Sequence, residues 1–335
     1  MSQNGYQFVG IGDITTDDFI KLKDIRIDTE SDKGDQGMDE ICFRFGDKIE
    51  YADHTVVPAV GNAPNAAVSA HRLGLDAAVN TNFGDDIVGE GNKKQLEEEG
   101  ISMEYVNIHE GKQSNYHYVL RHEAERTILV KHQEYEYELP DFDTPPEWIY
   151  LSSVGEDTLD FHEEIAEYID NHSTKLAFQP GTFQIKFGYE TIREIYEVSE
   201  LFFCNKQEAQ RILETDEADM KELVREMHNR GPNIAVLTDG RNGAWAYDGT
   251  DGWHQPMYPD PKPPVDRTGA GDSFSSTFTA ALAEGKDIPT AIQWGPVNSM
   301  SVVQEIGAQA GLVTRDELKK HLANAPEDYT PKKVI

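Results

Sequence analysis

The sequence predicts one α/β domain with a mainly parallel central sheet, helices on both faces and a smaller β-sheet projecting from it. Three observations carry this. From about residue 61 onward, short apolar runs alternate with helical segments, the order that builds parallel sheets. Ahead of them, residues 19–27 and 41–57 alternate loosely with period two, the mark of strands with one wet face. No linker rich in Pro, Gly or Ser divides the 335 residues and no repeat is visible, so the chain reads as a single domain over 1–335.

The elements follow in order. Tyr6 to Ile11 reads as a buried strand. The two alternating stretches flank an acidic, Gly-containing loop at 28–39 and together form the projecting sheet. Ala63 to Leu73 is a helix stopped by Gly74, and Asp76 to Thr81 is a strand. Asp85 is expected to cap a helix that runs to Glu99 and ends at Gly100. Trp148–Ser152, Lys175–Phe178, Leu201–Cys204 and Ile234–Thr238 supply further strands. Ligands of such sheets sit beyond the C-terminal strand ends, so the residues after each run hold the candidate site.

Composition narrows the function. Thirty basic against 61 acidic residues give a net charge of −31, which argues against nucleic-acid binding. No apolar run reaches the ~18 residues that span a bilayer, and Met1–Gly5 shows no secretory leader pattern. Cys42 and Cys204 are the only cysteines. They form neither a metal spacing nor a disulfide framework, and the expected location is cytoplasmic. The eleven histidines contain no His-x-x-x-His pair, so zinc is not expected. Glu97–Glu99 reads as a solvated helix end, and Tyr135 and Tyr137 as an ordinary strand.

The densest chemistry lies in Asp266-Arg267-Thr268-Gly269-Ala270-Gly271-Asp272. Two glycines flank an alanine, and a helix follows whose Phe274, Phe278, Ala281 and Leu282 share a face. A small-residue bend feeding a helix N-terminus presents unpaired N–H groups and a positive dipole end, which suits an anion. A carboxylate at its edge could take a proton from a hydroxyl in line with a phosphate. The plainer alternative is a helix cap after a tight turn.

This segment resembles the C-terminal signature of the PfkB/ribokinase family of sugar and nucleoside kinases, and further segments match in order. Gly12-Asp13-Ile14-Thr15-Thr16-Asp17 resembles the family's first strand and substrate Asp. Gly61-Asn62-Ala63-Pro64-Asn65-Ala66-Ala67 with Arg72-Leu73-Gly74 resembles its Gly-rich substrate segment. Gly84-Asp85-Asp86 with Gly89, Asn205-Lys206-Gln207-Glu208, and Thr238-Asp239-Gly240 with Gly243 complete the series. The resemblance implies a ribokinase-like three-layer α/β/α sandwich, with a β-sheet lid formed by about 18–28 and 40–58. It implies ATP-dependent phosphorylation of a small sugar, with Asp272 as base and Gly269, Ala270 and Gly271 as anion hole. Asp17, Gly61, Asn62 and Asn65 would bind the acceptor. Asn205, Thr238, Gly240, Gly243 and Asn298 would border the nucleotide. Glu208 would act on Mg²⁺ through water, and Asp266 is the candidate ligand for a monovalent cation such as K⁺. Pairing of two lids would make a homodimer.

The chain also departs from the family. Val60-Gly61 stands where many relatives have two glycines, and Asn62 where ribokinases carry Lys. Arg267 replaces a common Thr and suits nucleotide phosphates. Gln179-Pro180-Gly181-Thr182 resembles the ribokinase Asn-Pro segment only loosely, and a fructokinase-like Asp-x-Asn-x-Arg is absent there. Among rival readings, a nucleoside kinase of the same family would use Phe43 or Phe45 as a base platform. A non-catalytic sugar-binding homologue is opposed by the complete Asp272, Glu208 and glycine set. A nicotinamide fingerprint fails after Gly10-Ile11-Gly12 because Thr15 stands at the third glycine.

Overall fold

The computed structural model describes residues 5–23, 25–28, 40–122 and 125–335. Its strands are β1 (Phe8–Ile11), β2 (Thr15–Leu22), β3 (Arg26–Asp28), β4 (Glu40–Cys42), β5 (Tyr51–Val60), β6 (Ala77–Gly84), β7 (Val106–His109), β8 (Tyr116–His122), β9 (Glu125–Leu129), β10 (Trp148–Leu151), β11 (Lys175–Phe178), β12 (Ser199–Asn205), β13 (Ile234–Thr238), β14 (Ala244–Tyr247), β15 (Gly252–Gln255) and β16 (Lys332–Lys333). The helices are α1 (Asn62–Arg72), α2 (Ile87–Glu98), α3 (Leu159–Asn171), α4 (Thr182–Phe187), α5 (Arg193–Glu197), α6 (Lys206–Leu213), α7 (Met220–His228), α8 (Ala270–Ala283), α9 (Ile288–Val302) and α10 (Arg315–Ala323).

Ten strands form one sheet in the order β16-β15-β14-β13-β12-β11-β10-β1-β6-β7. Neighbours from β7 to β13 run parallel, and β14, β15 and β16 add an antiparallel edge. Both faces of this sheet are covered, which is why its strands read as apolar runs rather than alternating ones. Trp148, Tyr150, Leu201, Phe203 and Val236 pack toward α1, α8 and α9. Their neighbours Ile149, Leu151, Phe202, Cys204 and Leu237 pack toward α3, α6 and α7.

A separate sheet, β5-β2-β8-β9, forms the lid. Its second half corrects the expected boundaries. Residues 116–122 and 125–129 belong to it as β8 and β9, while β3 and β4 pair only with each other. Strand β8 runs parallel to β2 across about a hundred residues of chain, so local alternation could not announce the pairing. The acidic loop expected at 28–39 lies, beyond Asp28, outside the described residues.

Three local expectations also change. Asp86, not Asp85, caps α2, its carboxylate accepting from Gly89 N–H at 2.9 Å. Glu99 is not merely solvated, because its carboxylate receives the Arg72 guanidinium at 2.8 Å. Tyr135 and Tyr137 lie in irregular chain, not in a strand.

Candidate active site

The bend at 266–272 ends where helix α8 begins. Gly269 is its N-cap with φ of 79°, and Asp272 is its third residue, not its cap. A side chain at 269 would place Cβ 2.4 Å from Ala308 Cβ, so the bend needs glycine for both conformation and space. The helix's first hydrogen bond runs from Ser273 N–H to Gly269 O at 2.9 Å. The N–H groups of Gly271 and Asp272 precede it and have no acceptor within the helix.

Two cavities meet at this bend. One, of about 350 Å³, is lined by Thr238, Gly240, Gly243, Met257, Phe274 and Met300, among others. The other, of about 340 Å³, is lined by Asp13, Asp17, Gly61, Asn62, Asn65 and Asp272, among others. Arg267, Ala270 and Gly271 border both. The first is largely apolar and slot-like beside a loop between β13 and β14. The second lies under the lid and is lined by ionisable groups.

Asp272 is buried, and both its oxygens accept from side-chain amides. Asn65 Nδ2 donates to Oδ2 at 2.8 Å, and Gln179 Nε2 donates to Oδ1 at 3.0 Å. Burial pushes its carboxyl above the usual range, and these two donors together with the Arg126 charge work against that rise.

The lid contributes the other wall. Asp17 on β2 is buried, with His117 Nδ1 of the paired strand β8 3.4 Å from its Oδ1. Asp13 accepts from the Tyr137 hydroxyl at 2.6 Å and faces His132 Nδ1 at 3.3 Å. Asp13 Oδ2, Asp17 Oδ1, His117 Nε2 and Arg126 Nε are buried without a hydrogen-bond partner. Orphaned polar atoms lining one cavity mark where a polar ligand would bond. Gly61 caps α1 with φ of 127°, and a Cβ there would lie 2.3 Å from Asp13 O. Asn62 is therefore the first residue of α1 rather than its cap.

The predicted residues thus separate. Asp17, Gly61, Asn62 and Asn65 line the lid-side cavity with Asp272, although Asn65 reaches the carboxylate itself. Thr238, Gly240 and Gly243 line the apolar cavity. Asn298 does not. It is fully buried, its amide donating to Ser69 Oγ at 3.1 Å and Thr277 Oγ1 at 2.8 Å, and its oxygen accepting from Val313 N–H at 3.0 Å. Asn298 cross-links α1, α8 and α9 and, contrary to expectation, does not line the cavity that Thr238, Gly240 and Gly243 border. Asn205 and Glu208 form a reciprocal capping box at the start of α6, with bonds of 2.9 and 2.8 Å. Burial raises the Glu208 carboxyl, and the Asp272 charge adds to the rise. Asp266 accepts from Thr268 N–H, Thr268 Oγ1 and Gly307 N–H. Phe43 and Phe45 are exposed and border neither cavity. The sequence reading missed Asp13, His117, Arg126 and His132, of which only Asp13 lay inside a segment it had singled out, and it set Tyr137 aside as part of an ordinary strand.

An α/β/α sandwich with a four-stranded lid over a helix-terminal bend is the architecture of ribokinase-fold kinases. The crystal structure of ribokinase from Thermotoga maritima matches this chain with a TM-score of 0.77 at 18% identity, covering 95% of this chain and 100% of that one. The model of the pfkB family carbohydrate kinases matches residues 36–315, and the chain belongs to that family of ATP-dependent kinases. It is 26% identical to the ribokinase of Bacillus subtilis over 288 residues, covering 84% of this chain and 92% of the relative. It is 25% identical to a nucleoside kinase of Methanothermobacter thermautotrophicus over 276 residues, covering 81% and 86%.

Proposed function

We propose that this kinase transfers the γ-phosphoryl group of ATP to a primary hydroxyl of a small sugar, with Asp272 as general base. One observation carries the reading. The buried Asp272 carboxylate and the N–H groups of Gly271 and Asp272, which have no acceptor within the helix, stand where the two cavities join. A nucleotide in the apolar slot would end its phosphates at the bend. A hydroxyl held under the lid would meet them beside the carboxylate. Asp272 accepts the hydroxyl proton as the oxygen attacks, and the bend's N–H groups stabilise charge on the transferring group. Arg267 borders both cavities and supplies a fixed cation there.

Asp13 Oδ2 and Asp17 Oδ1 accept hydroxyls of the acceptor, because carboxylate lone pairs left open inside a cavity suit a polyol. Closure of β2, β5, β8 and β9 over the site excludes water that would otherwise hydrolyse ATP.

Mg²⁺ is implied by the chemistry. Among the described residues no three His, Cys, Asp or Glu side chains converge on a metal site. Glu208, whose Oε2 accepts from Asn205 N–H, would act on the metal through a bound water rather than as a direct ligand. Mg²⁺, when bound with ATP, would neutralise phosphate charge. Asp266 suits a monovalent cation less well. Three donors already occupy its carboxylate, leaving about one lone-pair direction of roughly four, and no step is assigned to K⁺.

The lid also favours a homodimer. Cross-strand neighbours Val56, Asp18, Tyr118 and Leu129 share its outer face. Val56, Tyr118 and Leu129 are exposed there, as a second copy would require. A cytoplasmic location follows from an ATP-dependent reaction on a free sugar.

A nucleoside acceptor is the second reading. The rings of His117, His132 and Phe183 follow one another at 5.3 and 5.6 Å beside the lid-side cavity and offer a wall for a base. A panel of pentoses, hexoses and nucleosides, read by ADP release, decides between them. Turnover of nucleosides alone would overturn the sugar reading. Thermal stabilisation by a sugar without ADP release from any acceptor would overturn catalysis.

A further inference from the structure

We infer that Gln179 is a positioning residue that clamps Asp272 as an anion, with its amide orientation fixed from behind by Tyr150 and Ser275. The inference rests on the proposed role of Asp272 as base. Gln179 follows β11, and its Nε2 donates to Asp272 Oδ1 at 3.0 Å. The Tyr150 and Ser275 hydroxyls both lie within hydrogen-bond reach of its Oε1. These hydroxyls also contact each other at 2.6 Å. A flipped amide would turn its oxygen on the carboxylate, acceptor against acceptor. Tyr150 is fully buried, and burial holds its hydroxyl well above its ordinary value, so it stays a neutral donor at any working pH.

A mirror arrangement holds the other oxygen. Asn65 Nδ2 donates to Asp272 Oδ2, and Gln309 Nε2 donates to Asn65 Oδ1 at 3.0 Å and to Ala59 O at 2.7 Å. Each primary amide is thus oriented by a second polar group, and the carboxylate sits between two aimed N–H donors. The charged or titratable groups around it are Arg126 from the lid, Glu208 from α6 and Tyr150 from β10. Across the lid-side cavity lie Asp13, Asp17, His117, His132 and Arg267. Burial makes the carboxylate a stronger base, and the two amides limit how far its proton affinity rises. The two aimed donors favour the charged form that a proton acceptor needs, against the burial that opposes it. The sequence hid this, because Gln179 stands where the ribokinase segment carries Asn and touches a residue 93 positions away.

The test is a carboxyl ¹³C NMR titration of aspartate-labelled protein without ligand, with Asp272→Asn identifying the Asp272 resonance. Gln179→Leu removes the donor to the anion. Its Asp272 midpoint should rise by about one to two pH units, the worth of a hydrogen bond to a charge. The acid limb of kcat/KM for ATP should move with it, using whichever panel sugar is turned over, while the high-pH plateau falls less than about tenfold. Tyr150→Phe leaves Gln179 in place but frees its amide, and should move the midpoint the same way by less. It also keeps the inference refutable if Gln179→Leu does not fold. An unmoved midpoint in a folded variant overturns the clamp, whatever happens to kcat. If Asp272→Asn keeps wild-type turnover, the base assignment fails instead, and the titration still reports on the clamp.

Discussion

Asp272→Asn separates chemistry from binding. The substitution removes the carboxylate that lines the lid-side cavity at the bend before α8. Loss of a positioned base costs about 10²–10⁴-fold in rate, equivalent to about 2.7–5.5 kcal/mol in the barrier. The fold should survive. In the wild type both oxygens accept from amides, at 2.8 and 3.0 Å. An asparagine must turn its NH₂ toward one of those donors and lose that contact, a cost of about 1.5–3 kcal/mol for a hydrogen bond to a charge. Against this, the variant no longer buries an anion whose proton affinity burial has raised. That raised value means the wild type gives up stability as pH climbs through it, and the neutral variant does not. The two effects oppose each other, so the melting temperature should shift by only a few degrees. ATP affinity by calorimetry should change less than about threefold, because the slot lined by Met257, Phe274 and Met300 is untouched. ADP release in the presence of the acceptor reads kcat. A folded variant that turns over within tenfold of the wild type would remove Asp272 from the proton transfer.

Three further outcomes follow from the same geometry. Gly269→Ala should destabilise by about 2–5 kcal/mol, combining left-handed strain with a forced contact at Ala308; a urea melt checks it, and a change below 1 kcal/mol would show that the bend relaxes freely. Tyr137→Phe removes the hydroxyl that serves Asp13 Oδ1 and Gly155 N–H; KM for the acceptor should rise about tenfold with kcat changed less, since a hydrogen bond to a charge is worth about 1.5–3 kcal/mol. Leu129→Glu places a charge on the exposed lid face, and sedimentation should show a dimer of the wild type dissociating toward monomer; an unchanged sedimentation coefficient would move the interface elsewhere.

How much of this was legible in the sequence depended on where the determining contacts lie. Strands β10, β12 and β13 could be read because each is buried on both faces, and burial on both faces writes itself locally as an apolar run. The bend before α8 could be read because its demands are local too: a left-handed glycine, minimal bulk and a helix at once behind. Strands β8 and β9 could not. Tyr116–His122 carries polar and aromatic residues on a sheet with one wet face, and its partner β2 lies far back in the chain. The same holds for the site's second layer. Tyr137 reaches Asp13 across 124 positions and Asn65 reaches Asp272 across 207, contacts that exist only once the sheet order is set. Asn298 shows the converse error. A polar residue inside a helix has no local mark that tells a ligand contact from a buried cross-link, and only Ser69 and Thr277 on the facing helices decide it. Sequence therefore displayed the bend at 266–272, whereas the side chains that hold the Asp272 carboxylate and shape the lid-side cavity are products of topology. Substrate choice should follow that second group, and variation at Asp13, His117, Arg126 and His132 should change the preferred acceptor while leaving ATP use intact.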